Sequence, residues 1–284
     1  MSGKGDVKSG ANVDKVTVAS FGDEWARFDQ SELPDDERAR SFDEYFSVFP
    51  WHLLRPDAEG FDMGCGSGRW ALLASRKVGT LNCIDPSEKA LAVARRNLAA
   101  CKNANFIHAS VEAVPLAPQS QDFGYALGVL HHIPRTGDAL KSCVALLKPG
   151  APFLLYLYYR FDNRPLWFRG LWHVSNIFRA MISSLPDRLK FIVTDIIAVL
   201  IYLPLSRFAA LVERLDFSSR NVPLRYYAHR SFYTLRTDSR DRFGTPLEHR
   251  FTRAEIKSMM EDAGLTDIRF SDREPFWCAA GLKR

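Results

Sequence analysis

The chain has 284 residues, 46% hydrophobic and 25% charged, a composition ordinary for a soluble globular protein and a length that allows one domain with an elaboration. Its formal charge of +5 is unevenly spread: residues 160–250 hold fifteen Arg or Lys against eight Asp or Glu, which leaves the rest of the chain slightly acidic. Five scattered cysteines form no Cys-x-x-Cys pair and no zinc-ligand spacing with histidine, which excludes a disulfide framework and a zinc ribbon and implies a reducing compartment.

Residues 1–15 are rich in Gly, Ser and Lys without the apolar stretch of a signal peptide, so a disordered tail on a cytoplasmic protein is expected. Residues 16–55 carry aromatics at helical spacing, among them Phe21, Trp25, Phe42 and Phe46. They predict a helical cap, either a layer packed on a sheet or a lid in which Phe21 and Trp25 fold over a ligand. From 56 to 159 strand and helix patterns alternate, which implies a parallel sheet with right-handed crossovers. Strands are predicted at 60–63, 80–84, 104–108, 123–128 and 152–158, and helices at 70–76, 88–100 and 138–147, with Ser87 as a cap.

A segment at 160–250 interrupts this alternation, and a helix at 252–263 and strands at 266–271 and 276–282 complete the sheet over 251–284. Within the segment, Trp167, Leu171, Val174, Phe178, Met181 and Leu185 fall on one helical face. An apolar run at 191–205 is too short for a bilayer span of about 20 residues. Residues 224–242 interleave Tyr226, Tyr227, Phe232 and Tyr233 with Arg225, Arg230, Arg236, Arg240 and Arg242. The plain reading is a helical subdomain hiding its own core. The sharper one is a lid with an apolar, arginine-rimmed mouth, suited to an amphiphilic or acidic acceptor or to an anionic membrane surface. The same composition also suits single-stranded nucleic acid, but no RNA-binding module accompanies the core, so nucleic acid is not the expected partner.

The chemistry centres on Gly60-Phe-Asp-Met-Gly-Cys-Gly-Ser-Gly-Arg69, where an apolar strand end meets glycines at 64, 66 and 68. Glycines let the backbone turn sharply and approach a bound molecule closely. The second strand ends in Asp85, placed to accept hydrogen bonds from both ribose hydroxyls of a nucleoside. The third glycine comes one residue early for a dinucleotide loop, and Gly68-Arg69-Trp70 is not the Gly-Lys-Ser/Thr of a P-loop.

With its acid-x-Gly-x-Gly-x-Gly pattern over Asp62, Gly64, Gly66 and Gly68, the chain resembles the class I S-adenosylmethionine-dependent methyltransferases. The resemblance covers about 57–159 and 251–284. It implies an α/β fold, a doubly wound, Rossmann-like seven-stranded sheet with a helical insertion after the fifth strand, and S-adenosyl-L-methionine as cofactor. Asp62, Gly64, Cys65, Gly66 and Gly68 would hold its methionine part, Asp85 and Pro86 the ribose side, and Ser110 and Val111 the adenine. Gly128 and Val129 would complete the site. Ser110 stands where the family usually has an acid. The stretch Gly128-Val129-Leu130-His131-His132-Ile133-Pro134 resembles the fourth motif of small-molecule methyltransferases, not the Asn-Pro-Pro-Tyr of enzymes acting on exocyclic amines. His131, His132 or Tyr158 would orient or deprotonate a small-molecule or lipid-like acceptor, and no metal is implied. The protein would work in the cytoplasm or at the inner face of a membrane. Three alternatives stay open: an RNA methyltransferase, a binding protein of this fold without turnover, and a nicotinamide oxidoreductase, against which the glycine spacing and the antiparallel finish speak.

Overall fold

The structure, a computed structural model, describes residues 12–284. Residues 1–11 of the expected tail lie outside the described residues, but 12–15 belong to the fold. The Asn12 side chain donates to the Arg135 carbonyl at 3.0 Å and accepts from the Arg135 amide at 2.8 Å. Asp14 caps helix α1 (Lys15–Arg27) by accepting from the amides of Val16 and Thr17, which satisfies two donors that the helix itself leaves unpaired. Helix α2 (Asp35–Tyr45) opens with three acids where the helix dipole favours negative charge.

Alternation then builds the core. Strand β1 (Glu59–Met63) leads through α3 (Ala71–Ala74) to β2 (Thr80–Asp85), and α4 (Glu88–Asn97) leads on to β3 (Ala104–His108). Strand β4 (Phe123–Leu127), α5 (Thr136–Ala145) and β5 (Pro152–Tyr156) follow. The insertion carries α6 (Leu166–Ser183), α7 (Asp187–Ile197), α8 (Leu203–Arg214) and α9 (Phe232–Gly244). Helix α10 (Arg253–Asp262), closed by a reciprocal Thr252–Glu255 cap, precedes β6 (Leu265–Phe270) and β7 (Cys278–Lys283). The seven strands lie in the order β3-β2-β1-β4-β5-β7-β6, with β7 antiparallel to both neighbours. This is the sheet that the sequence predicts.

Successive residues of a strand point to opposite faces, and the sheet buries both. Phe61, Phe153 and Leu155 pack against α5 and α10 through Leu140, Ile256 and Met260. Phe123, Tyr125 and Leu154 pack against Phe42, Phe46, Phe49 and Trp70 on the other face. The aromatics of 42–51 therefore form a layer on the sheet.

The insertion differs from expectation in three ways. Its apolar run is not short: α7, a π-helical turn (Ala198–Tyr202) and α8 form one helix of 28 residues, Asp187–Arg214. That helix is long and apolar enough, by length and composition alone, to cross a membrane. The apolar face of α6 is not hidden: Trp167, Leu171, Val174, Phe178 and Met181 are each at least half exposed. The arginines rim the cavity only in part: Arg225 and Arg242 stand on its wall, and Arg230, Arg236 and Arg240 do not. Arg230 pairs with Glu44 of α2, Arg236 with Asp195 of α7, Arg242 with Glu248, and Arg225 with Glu213 and Glu274.

Candidate active site

Right-handed crossovers bring the carboxyl ends of β1, β2 and β4 together, the place where open α/β sheets bind ligands. A cavity of about 730 Å³ opens there and runs out under the insertion. Its inner end is built largely from backbone. Gly64, Gly66 and Gly68 all have positive φ, so side chains are strained at these positions. Gly66 also brings the loop against the lid: a Cβ there would stand 2.8 Å from the Trp25 indole nitrogen. The Gly66 amide donates to Asp85 at 2.9 Å, and the Ser87 amide donates to the other Asp85 oxygen at 2.8 Å. These bonds fix the carboxylate on the cavity wall and leave each oxygen a second lone pair. Burial pushes the Asp85 carboxyl up to about 6, and the two amides oppose that shift.

Gly64, Cys65, Gly66, Asp85, Pro86, Ser110, Val111, Gly128 and Val129 all line the cavity. So do Phe21 and Trp25 of α1. Asp62 and Gly68 do not stand on the wall. Asp62 is 1% exposed beneath the loop, and burial pushes its carboxyl up to about 8, against a lowering contribution from Tyr125. It lies beneath the loop and not on the cavity wall. Gly68 serves packing: a Cβ there would strike Leu98 at 2.3 Å, where α4 crosses the loop.

The two histidines separate. His131 has no exposed surface, is absent from the cavity wall, and packs its ring 3.9 Å from that of Tyr158. Burial holds it far below the usual histidine range, so it backs Tyr158 and does not meet an acceptor. His132 does line the cavity, its ring 4.8 Å from Phe21. Its Nδ1 lies 2.6 Å from the Leu247 carbonyl, which fixes the proton on Nδ1 and leaves Nε2 as an unpartnered acceptor. Burial pushes it down to about 4, so it is neutral at pH 7. Tyr158 lines the cavity and donates to Asp241 of α9.

Asp241 belongs to a set that the sequence reading missed. Asp238 and Asp241, i and i+3 on α9 and so on one side of it, both line the cavity beside Tyr227. Burial pushes each carboxyl up to about 6. Glu24 of α1 is 1% exposed on the same wall, with Oε1 unpartnered, and burial and the nearby Asp241 raise it well above the carboxylate range. The acid pair in Asp238-Ser-Arg-Asp241 was a readable signal, obscured by the arginines around it. Four acids and a wall of aromatics (Trp25, Tyr45, Tyr156 and Tyr158) suit a nucleoside that carries positive charge. Arg69 adds a cation for a carboxylate, and the unpartnered Glu24 oxygen a place for an ammonium. Among the described residues no cluster of His, Cys, Asp and Glu could hold a metal ion.

Residues 61–155 match the family model described as a methyltransferase domain. Demethylmenaquinone methyltransferase of Staphylococcus aureus is 30% identical over 100 residues, which are 34% of this chain and 42% of that protein. The match thus spans less than half the length of the curated relatives. A methyltransferase solved with the Haloferax volcanii Trm112 methyltransferase activator aligns over 93% of this chain and 96% of its own, at 16% identity and a TM-score of 0.50. A SAM-dependent methyltransferase from Aquifex aeolicus aligns over 90% and 96%, at 13% identity and a TM-score of 0.49. At 16% identity the first of these speaks for the fold alone.

Proposed function

We propose that this chain, whose core is a class I S-adenosylmethionine-dependent methyltransferase domain, methylates an oxygen, carbon or nitrogen nucleophile of a small, lipid-like acceptor. The observation that carries the reading is one continuous cavity. At one end stand the glycine loop and Asp85, and at the other the apolar side chains of Leu171, Phe178, Ile197, Ile201 and Leu205. Relatives named for methylating demethylmenaquinone support a lipid-like acceptor over a third of the chain.

The cofactor, when bound, supplies an activated methyl group, so the protein has to align two reactants, exclude water and take a proton where the nucleophile carries one. Asp85 would hold the ribose, Glu24 the ammonium and Arg69 the carboxylate of the methionine part. Phe21 and Trp25 would close over it. The Asp241 carboxylate, hydrogen-bonded by Tyr158, would accept the proton directly or through the Tyr158 hydroxyl. With its pKa about 6, Asp241 is ionised at neutral pH yet a better base than an ordinary carboxylate. The neutral His132 Nε2 would accept a hydrogen bond that orients the nucleophile.

The test is transfer of labelled methyl from S-adenosylmethionine to phenols and amines bearing alkyl tails of increasing length. Label should enter the acceptor, and kcat/KM should rise with tail length. Label found only in RNA, or bound S-adenosylhomocysteine without any transfer, would replace this reading with one of its alternatives.

A further inference from the structure

Among the described residues, all exposed large apolar side chains but Val16 and Leu53 lie between Leu166 and Phe232. Helix α6 presents Trp167, Leu171, Phe178 and Met181 outward. The helix Asp187–Arg214 presents Ile192, Ile196 and Leu200 along its first half and Phe208 and Leu211 along its second, with Leu215 just beyond its end. A three-residue turn, Ser184–Pro186, joins the two helices into a hairpin. A contiguous apolar surface on this scale marks an interface, since folded chains rarely leave more than a few hundred Å² of it uncovered.

Three observations choose the occupant. The long helix does not sit surrounded by lipid, because its other face packs on α9 through polar contacts. Asp195 accepts two bonds from Arg236 at 2.8 and 3.1 Å, and Ser239 donates to the Thr194 carbonyl at 2.9 Å. The helix therefore lies along a surface rather than through it. Arg188 and Arg214, in its first and last turns, are exposed and form no ion pair among the described residues, which complements an anionic surface. Finally, Leu171, Val174, Phe178 and Ile201 are exposed and also line the cavity, so the cavity mouth opens on this face. A second copy of the chain seated here would seal the mouth, whereas a lipid leaflet would feed it.

We infer that α6 and the helix Asp187–Arg214 dock in the plane of an anionic membrane leaflet, with the cavity mouth opening into its apolar layer. An acceptor with an apolar tail reaches the site from within the leaflet without crossing water. The route of the acceptor rests on the proposed methyl transfer; the docking does not.

Flotation with phosphatidylcholine vesicles, with and without phosphatidylglycerol, tests the inference. The wild type should float with the anionic vesicles and less with the neutral ones. The double variant Ile196→Glu/Leu200→Glu, on the outward row away from the cavity wall, should lower the bound fraction about tenfold or more. Arg188→Gln/Arg214→Gln should float equally with both vesicle types. Circular dichroism and S-adenosylhomocysteine affinity should match the wild type in both variants. As a second reading of depth, acyl chains carrying bromine should quench tryptophan fluorescence less in Trp167→Phe than in the wild type. Wild type that ignores both vesicle types, or a double-Glu variant that floats normally, overturns the docking. So does a wild-type dimer that the double-Glu change splits, because the face would then belong to a second copy. Floating protein that binds no S-adenosylhomocysteine would sink the functional reading and leave this one standing.

Discussion

The sheet domain and the insertion solve the same packing problem in opposite senses. In the sheet domain apolar side chains point inward and cations point outward, as at Arg55, Arg95 and Arg96, whose side chains are 79%, 42% and 62% exposed. In the insertion the leucines and phenylalanines face out, while the side chains of Arg230 and Arg240 are 4% and 0% exposed. Arg240 lies over the Phe191 ring at 4.3 Å, and burial lowers its pKa below the usual guanidinium range. Part of the positive charge in 160–250 is therefore turned inward, while Arg188, Arg207, Arg214 and Arg220 stay exposed. A charge count gives the sum of a region's charges and no information about their direction.

The comparison also divides the cavity: its cofactor end is made by backbone and its acceptor end by side chains. The sharpest test is Asp241→Asn, which should lower kcat by roughly 10²–10⁴ with S-adenosylhomocysteine affinity unchanged, the usual share of a general base. The wild-type rate should also fall as pH drops through about 6, because protonation at that raised pKa removes the base. In the Asn variant this limb should shrink to what Asp85 and Asp238, also raised to about 6, contribute. Unchanged kcat would mean that the acceptor loses no proton in the rate-limiting step.

At the backbone end, Asp85→Ala should weaken S-adenosylhomocysteine binding by about 1.5–3 kcal/mol in calorimetric titration, the worth of charge-assisted hydrogen bonds. Gly66→Val should cost a comparable loss by driving a side chain into Trp25 and into a backbone region closed to valine. Gly68→Val should instead lower Tm more than it lowers affinity, since it strikes α4. If the two glycines behave alike, the loop is one structural turn.

The smallest effect on the site is expected at Arg230. An arginine-rimmed mouth would predict that loss of Arg225, Arg230 and Arg236 together weakens binding to acidic partners. Buried against Glu44, Arg230 should on change to Gln cost roughly 1–3 kcal/mol of stability and lower Tm. Ligand affinity and vesicle binding should be unchanged. Reduced vesicle binding in a folded Arg230→Gln variant would restore the arginine-rimmed mouth.

What was legible in the sequence follows the same division. The spacing of Gly64, Gly66 and Asp85 is dictated by local backbone demands, and the parallel core of the sheet follows from alternation, so both could be read directly. Glu24, Asp238 and Asp241 reach the site only through tertiary packing of α1 and α9; the spacing of Asp238 and Asp241 marks a shared side of a helix but not where that side points. The placing of Asp62 and Gly68 on the wall failed because a motif gives positions along the chain and not which side of the loop each residue faces. The apolar run at 191–205 reads as too short in the sequence because Lys190 and Asp195 mark its N-terminal side. They lie within the helix, on the face turned to α9, with Asp195 bonded to Arg236.

The wide turn at Ala198–Tyr202 has a consequence for chain length. Lys190, Thr194, Ala198, Tyr202, Ser206 and Ala209 all face inward, a row that five ordinary turns of about 18 residues would not quite span. The surplus residue is absorbed beside Ile201 and Tyr202, on the cavity wall. A chain one residue shorter there would close the turn and keep both rows in phase. Because the number of turns is then unchanged, the two halves of the helix would keep nearly their present separation, at about 5.4 Å per turn. The fold can thus trim the wall facing the acceptor, one residue at a time, without altering the direction in which either face looks.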